Sequence, residues 1–173
     1  WNTIVLAIES SVPQHVLGLF FAFILNLGFV RLKNFFKATL FLPYITSTVA
    51  VSMVFAILFG YPFGFLNYLL VSLDKLPVFG TIFNWLNIEP PLKWLAEPSL
   101  ILPSISTLII WRWTGWNTIL YLAGLQTIPQ ELYEAARVDG AKWHQVFFKI
   151  TLPSLRPVMQ FAITMSVIGG LQR

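Results

Sequence analysis

The feature that most constrains this chain is the placement of its charges. Four apolar stretches, 12–30, 39–59, 99–125 and 158–171, hold a single charged residue between them, Arg112. A helix needs about 20 residues to cross a hydrocarbon core roughly 30 Å thick, because each residue advances 1.5 Å. The first three stretches, of 19, 21 and 27 residues, meet that length, and the fourth, of 14, is short. With 57% apolar residues and 10% charged, the chain has too little charge to cover a soluble domain of 173 residues. The fold expected is all-α: a polytopic transmembrane helical bundle with about four spans, forming one transmembrane domain over 1–173. The chain starts at Trp1 and closes on a short apolar run, so it reads as a piece truncated at both ends.

Basic residues set the orientation. Arg31, Lys33 and Lys37 fall in the connection 31–38, and Arg137, Lys142, Lys149 and Arg156 in the connection 126–157. The connection 60–98 carries only Lys75 and Lys93. The positive-inside rule therefore places 31–38 and 126–157 in the cytoplasm and 60–98 outside. Pro and Gly break up this outer segment. Within it, 65–73 reads as a short amphipathic helix, and Trp85 and Trp94 suit an interfacial belt. Gly60 and Gly64 have the spacing of a helix-dimer motif, but Pro62 sits inside it.

Several chemistries lack their residues. The chain has no cysteine, no Gly-Lys pair of a phosphate-binding loop, no HExxH and no nucleophile elbow. No metal site is expected. The three long apolar stretches contain no Asp or Glu, whereas ion-coupled carriers commonly bury carboxylates at mid-membrane. Any energy for transport then comes from another subunit.

Segment 126–157 reads as two short helices joined at a turn. Thr127 and Gln130 have capping-box spacing, with Pro129 in the first turn. Ala135-Ala136 offer a small surface that another backbone can approach. Asp139-Gly140 breaks the first helix, and Gly140 is free to take a left-handed conformation. A second helix is expected from Ala141 to about Ile150, stopped by Pro153, with Pro157 opening the last span. Trp143, Val146, Phe147 and Ile150 share one face of it. That face suits either the membrane surface or a cytoplasmic partner.

Glu134-Ala135-Ala136, Gly140 and Ile150-x-Leu152-Pro153 resemble the EAA loop of binding-protein-dependent ABC transporter permeases, with every position of E-A-A-x3-G-x9-I-x-L-P matched. Leu125-Gln126, Ile128-Pro129, Glu131-Leu132-Tyr133 and Asp139-Gly140-Ala141 are similar to carbohydrate-uptake permeases in particular. So are Phe41-Leu42-Pro43-Tyr44 and the G-x-x-N-x-x-L run from Gly64 to Leu70. The resemblance implies a non-catalytic permease subunit of a bacterial or archaeal plasma membrane importer for a sugar or related solute. It implies a coupling role for Glu134, Ala135, Ala136, Asp139 and Gly140. The implied partners are a cytoplasmic dimer of ATP-binding subunits, a second permease, an extracytoplasmic solute-binding protein and membrane lipid. No nucleic acid is expected, and the chain needs no cofactor of its own, since ATP and Mg would be held by the ATPase. An ion-coupled secondary carrier and a membrane scaffold subunit without a pathway are the rival classes.

Two groups of residues suit a substrate path. Thr48, Ser52 and Ala56 repeat at four-residue spacing, which fits either small-residue helix packing or a polar lining. Around Arg112, the run Trp111–Thr118 places Trp116 four residues on, within cation–π reach, with Asn117 beside it. Gly115 would allow a local bend. Flat apolar faces with nearby amides suit a sugar. The competing reading has the tryptophans facing lipid and Arg112 paired with another helix.

Overall fold

A computed structural model describes residues 1–27 and 31–172, and those residues are helical with connecting turns and no strand. The last three residues of stretch 12–30, and Arg173, lie outside the described residues. The chain divides into two compact units, residues 1–45 with 109–173, and residues 46–108.

The first unit is built on α1 (Asn2–Asn26), α2 (Lys33–Ile45), most of α6 (Pro98–Gln126) and α10 (Arg156–Leu171). The helix α1 starts ten residues before the apolar stretch and runs through Pro13. At that turn Ser10 Oγ donates to the Leu6 carbonyl at 2.7 Å. Among the described residues, α1 is the one single helix long and apolar enough to cross a membrane by itself, and the stretch 39–59, expected as one span, is broken between Ile45 and Thr48. The core lies where α1, α6 and α10 meet, around Ala22, Leu25, Tyr121, Leu122, Leu125, Ile128, Leu155 and Ala162.

Polar side chains are buried in the same bundle. Gln14 Nε2 donates to Ser166 Oγ, and Ser166 Oγ donates to Ser11 Oγ at 3.3 Å. Tyr121 Oη lies 2.7 Å from His15 Nδ1. These bonds tie α1 to α10 and α6, replacing the weak apolar driving force between helices in lipid.

The second unit holds α3 (Thr48–Leu58), α4 (Phe65–Asp74), α5 (Pro77–Trp85) and the start of α6. Helix α4 is the amphipathic helix expected at 65–73. Helix α5 follows it at 105°, and Pro77 stands in its first turn, where a missing N–H is harmless. Prolines and glycines are expected to break up segment 60–98, and that pattern does not foresee α5. Gly60 and Gly64 form no dimer face. Gly64 N–H donates to the Gly60 carbonyl at 2.8 Å, closing a tight turn. A Cβ on Gly64 would run into the Gly60 backbone.

Asn67 closes this turn and is completely buried. Its amide donates to the carbonyls of Gly60 and Leu92, at 3.1 and 3.0 Å. Its oxygen accepts from Leu92 N–H at 2.9 Å and from Trp94 Nε1 at 3.0 Å. All four hydrogen-bonding positions of the side chain are therefore used. Trp94, expected in an interfacial belt, instead donates inward and packs edge-on to Phe59 at 5.7 Å. Trp85 is 81% exposed, as a belt residue would be.

Candidate functional site

Two parts of the first unit carry most of the residues singled out above. One is the helical hairpin between α6 and α10, and the other is a cavity against α6.

The hairpin begins at α7 (Gln130–Val138), with Pro129 at its N-cap. Thr127 does not cap it: its hydroxyl donates backwards to the Gly124 carbonyl at 2.8 Å, so the expected capping box is not formed. Glu131 lies in the first turn and Arg137 in the last, each at the end its charge suits. Gly140 then takes φ +69°, as expected of the residue after a helix end. The next helix, α8 (Trp143–Val146), begins with Gln145 Oε1 accepting from Lys142 N–H at 2.8 Å.

Pro153 does not end the second arm. Helix α8 passes into a π-helical turn, Phe147–Thr151, and then into α9 (Leu152–Ser154) and α10. Pro153 would lose an α-helical bond to the Lys149 carbonyl and collide with it. The π turn shifts the pairing by one residue, with Leu152 N–H donating to Phe147 O, and the chain stays helical past the proline. Pro157 occupies the first turn of α10, as expected.

The roots of the hairpin are fixed and its tip is open. Ile128 and Leu155 are buried in the core at 7% and 1% exposure. Tyr133 Oη lies 3.3 Å from Thr151 Oγ1, bridging the two arms. Toward the tip, Val138 and Trp143 are 88% and 73% exposed. Of the coupling residues inferred from the sequence, Ala136 is buried, while Glu134, Ala135, Asp139 and Gly140 are exposed. Between the arms lies a concavity of about 670 Å³, lined by Ala135, Ala136, Asp139 and Gly140 with residues of both arms. Glu134 is not in that lining.

The cavity against α6 measures about 280 Å³ and is lined by Tyr44, Trp113, Trp116, Asn117, Phe161 and Ser166, among others. Trp116 stacks on Tyr44 with ring centroids 4.8 Å apart and planes at 24°. Trp116 is thus engaged by Tyr44 and not by Arg112. Arg112 instead donates from Nη2 toward the Tyr44 carbonyl at 3.4 Å, in the last turn of α2. A cation there suits the negative end of the helix. Its Nη1 is buried without a partner.

Gly115 makes this assembly possible in a way the sequence did not suggest. It serves as a contact point rather than a bend. A Cβ there would collide with the Leu40 carbonyl, so α2 lies directly on α6 and brings Tyr44 to Trp116. The structure therefore groups Trp116 and Asn117 with Tyr44, and places Arg112 behind Tyr44 rather than in the lining. Thr48 and Ser52 are exposed on α3, in the other unit. Thr114 and Thr118 are buried, but their hydroxyls bond to carbonyls of their own helix, at 2.6 and 2.8 Å. Tyr44 went unselected from sequence, although it ends the Phe41–Tyr44 motif; an aromatic near a helix end has no distinctive spacing. Ser166 and Gln14 likewise carry no local signal.

A family model described as "Binding-protein-dependent transport system inner membrane component" matches residues 14–172. The arabinooligosaccharides transport system permease protein of Bacillus subtilis (strain 168) is 37% identical over 173 residues, covering 99% of this chain and 51% of the relative. The lactose transport system permease protein of Rhizobium radiobacter is 34% identical, covering 99% and 53%. The trehalose/maltose transport system permease protein of Thermococcus litoralis is also 34% identical, covering 98% and 52%. The chain thus spans about half the length of these relatives. In fold, it is similar to a bacterial ABC transporter involved in import of the acidic polysaccharide alginate. That match has a TM-score of 0.76 at 24% identity, over 99% of this chain and 55% of the other.

Proposed function

The chain belongs to the binding-protein-dependent transport system inner membrane component family, and from that premise we propose that it is a permease subunit of an ATP-driven importer for a sugar or related solute. It works with a second permease, takes substrate from an external solute-binding protein, and receives its energy from a separate ATP-hydrolysing dimer. The chain itself performs no catalysis.

The observation that carries this reading is the hairpin. Its roots sit in the bundle core and its tip exposes Val138 and Trp143 around an open Gly140. Force applied at such a tip reaches α6 through Ile128 and α10 through Leu155. The tip is accordingly the coupling element, with Glu134, Ala135, Ala136, Asp139 and Gly140 at the contact. The relatives support the solute class, since all three are named for saccharides.

The substrate path runs by the α6 cavity. Tyr44 and Trp116 offer flat faces to the C–H side of a sugar ring, and Asn117 offers an amide to its hydroxyls. At about 280 Å³ the cavity falls just below the usual range of ligand pockets, roughly 300–1,000 Å³, and suits one ring at a time. Arg112 supports the cavity by holding the end of α2. Segments 126–157 and 60–98 lie on the cytoplasmic and outer sides, and the spans are those centred on 12–30, 99–125 and 158–171, with 39–59 contributing as two helices, α2 and α3, that part between Ile45 and Thr48.

Reconstitution of the full-length chain with its second permease and ATPase in vesicles tests this. ATP-dependent uptake of a radiolabelled saccharide is expected, with Gly140→Asp reducing uptake and stimulated ATPase by at least about tenfold. Full uptake by Gly140→Asp would remove the coupling assignment. Unchanged uptake by Asn117→Ala and Trp116→Ala together would remove the path.

A further inference from the structure

The concavity between the hairpin arms has a chemistry of its own. Its base is apolar and shallow: Ala135 and Ala136 on one arm face Val146 and Ile150 on the other. At the turn, nothing lies within 4 Å of where a Gly140 Cβ would stand. Two cations stand in the lining, Lys142 at the start of the second arm and Lys149 in the π turn, and both are exposed. Asp139 is the one acid in the lining, so the concavity is net positive.

Resting on the coupling role proposed above, we infer that this concavity receives a protruding apolar side chain of the ATP-hydrolysing subunit, flanked by carboxylates that pair with Lys142 and Lys149. The small base fixes the depth to which the knob enters. The lysines fix its charge. An apolar contact on alanines alone would slide, because it has no direction; two charge pairs at opposite ends of the second arm give it a register. Pairing with Lys149 would also load the π turn, where the second arm is least regular.

Zero-length carbodiimide coupling, which joins a lysine amine to a carboxylate in direct contact, tests this on the assembled full-length complex. Mass spectrometry is expected to find Lys142 or Lys149 joined to an Asp or Glu of the ATPase. In parallel, the double variant Lys142→Glu/Lys149→Glu should weaken association with the purified ATPase by at least about tenfold, and Lys142→Gln/Lys149→Gln should flatten its salt dependence. Both residues are exposed, so these variants keep the fold. An assembled complex with no such cross-link and unaltered salt dependence in the Gln variant overturns the inference but leaves the coupling role intact. Failure of the wild-type hairpin to bind the ATPase at all would overturn both.

Discussion

Segments 60–98 and 126–157 are built from similar material, and the structure uses it in opposite ways. Both separate long helices, and both contain prolines, glycines and short helices. In 60–98 the polar centre is Asn67, completely buried, with its amide fully paired to Gly60, Leu92 and Trp94. In 126–157 the roots are buried but the tip presents Val138 and Trp143 outward. Gly64 is crowded by the Gly60 backbone, whereas Gly140 has empty space on its side-chain face. One segment is closed on itself. The other keeps its contacts unmade, as an element does when a partner completes it.

The largest effect that would break this contrast is at Asn67. Asn67→Ala orphans two carbonyls, one backbone N–H and the Trp94 indole N–H. At roughly 1–3 kcal/mol for each buried unpaired group, a loss of about 3 kcal/mol or more is expected. Asn67→Asp should lose nearly as much, because a carboxylate cannot donate to Gly60 or Leu92. A thermal unfolding midpoint in detergent that stays at the wild-type value for both would show that the outer turn is not held this way.

Next is Gly115→Ala. A methyl group must push α2 away from α6 at Leu40, at a cost of about 1–3 kcal/mol. The Trp116–Tyr44 stack should loosen with it, and tryptophan fluorescence should report that shift along with the lower midpoint. An unaltered spectrum and midpoint would mean that the helices do not meet there.

The paired glycines sharpen the contrast further. Gly140→Ala meets no neighbour and bears only the left-handed backbone cost, about 1–2 kcal/mol. Gly64→Ala should exceed it, because its Cβ meets backbone. Protease accessibility, compared between the two variants, reads which segment opens. Equal or reversed sensitivity would erase the distinction between a crowded and an open turn.

Smallest is Tyr133→Phe, which removes the single bridge to Thr151. About 0.5–1.5 kcal/mol is expected. Hydrogen exchange in residues 143–151 should rise while that of α6 stays constant. No rise would mean that the arms are held by the apolar roots alone.

What was legible in the sequence had a period or a spacing. Apolar run length marked the helices around 12–30, 99–125 and 158–171. The E-A-A-x3-G spacing marked the hairpin, and Gly140 took the backbone conformation that a glycine after a helix end suggests. The amphipathic pattern at 65–73 marked α4. Misread residues were those whose role depends on a partner distant in the chain. Thr127 looked like a cap but bonds backwards to Gly124. Trp94 looked interfacial but donates to Asn67, 27 residues away. Pro153 looked like a stop, yet a π turn lets the helix pass.

By itself, then, the sequence determined that this chain is a bundle of apolar helices carrying a two-armed loop, because charge placement and helix length are local quantities that lipid reads directly. The tertiary structure alone decided which polar groups are spent internally and which are left to act. Asn67, Thr114 and Thr118 are satisfied within the protein. Trp116 and Asn117 are gathered with Tyr44 only because Gly115 lets α2 approach, and Lys142 and Lys149 are brought opposite Ala135 and Ala136 only because Gly140 turns the chain. Such contacts depend on how closely two backbones can lie, and no spacing along one strand of sequence encodes that distance.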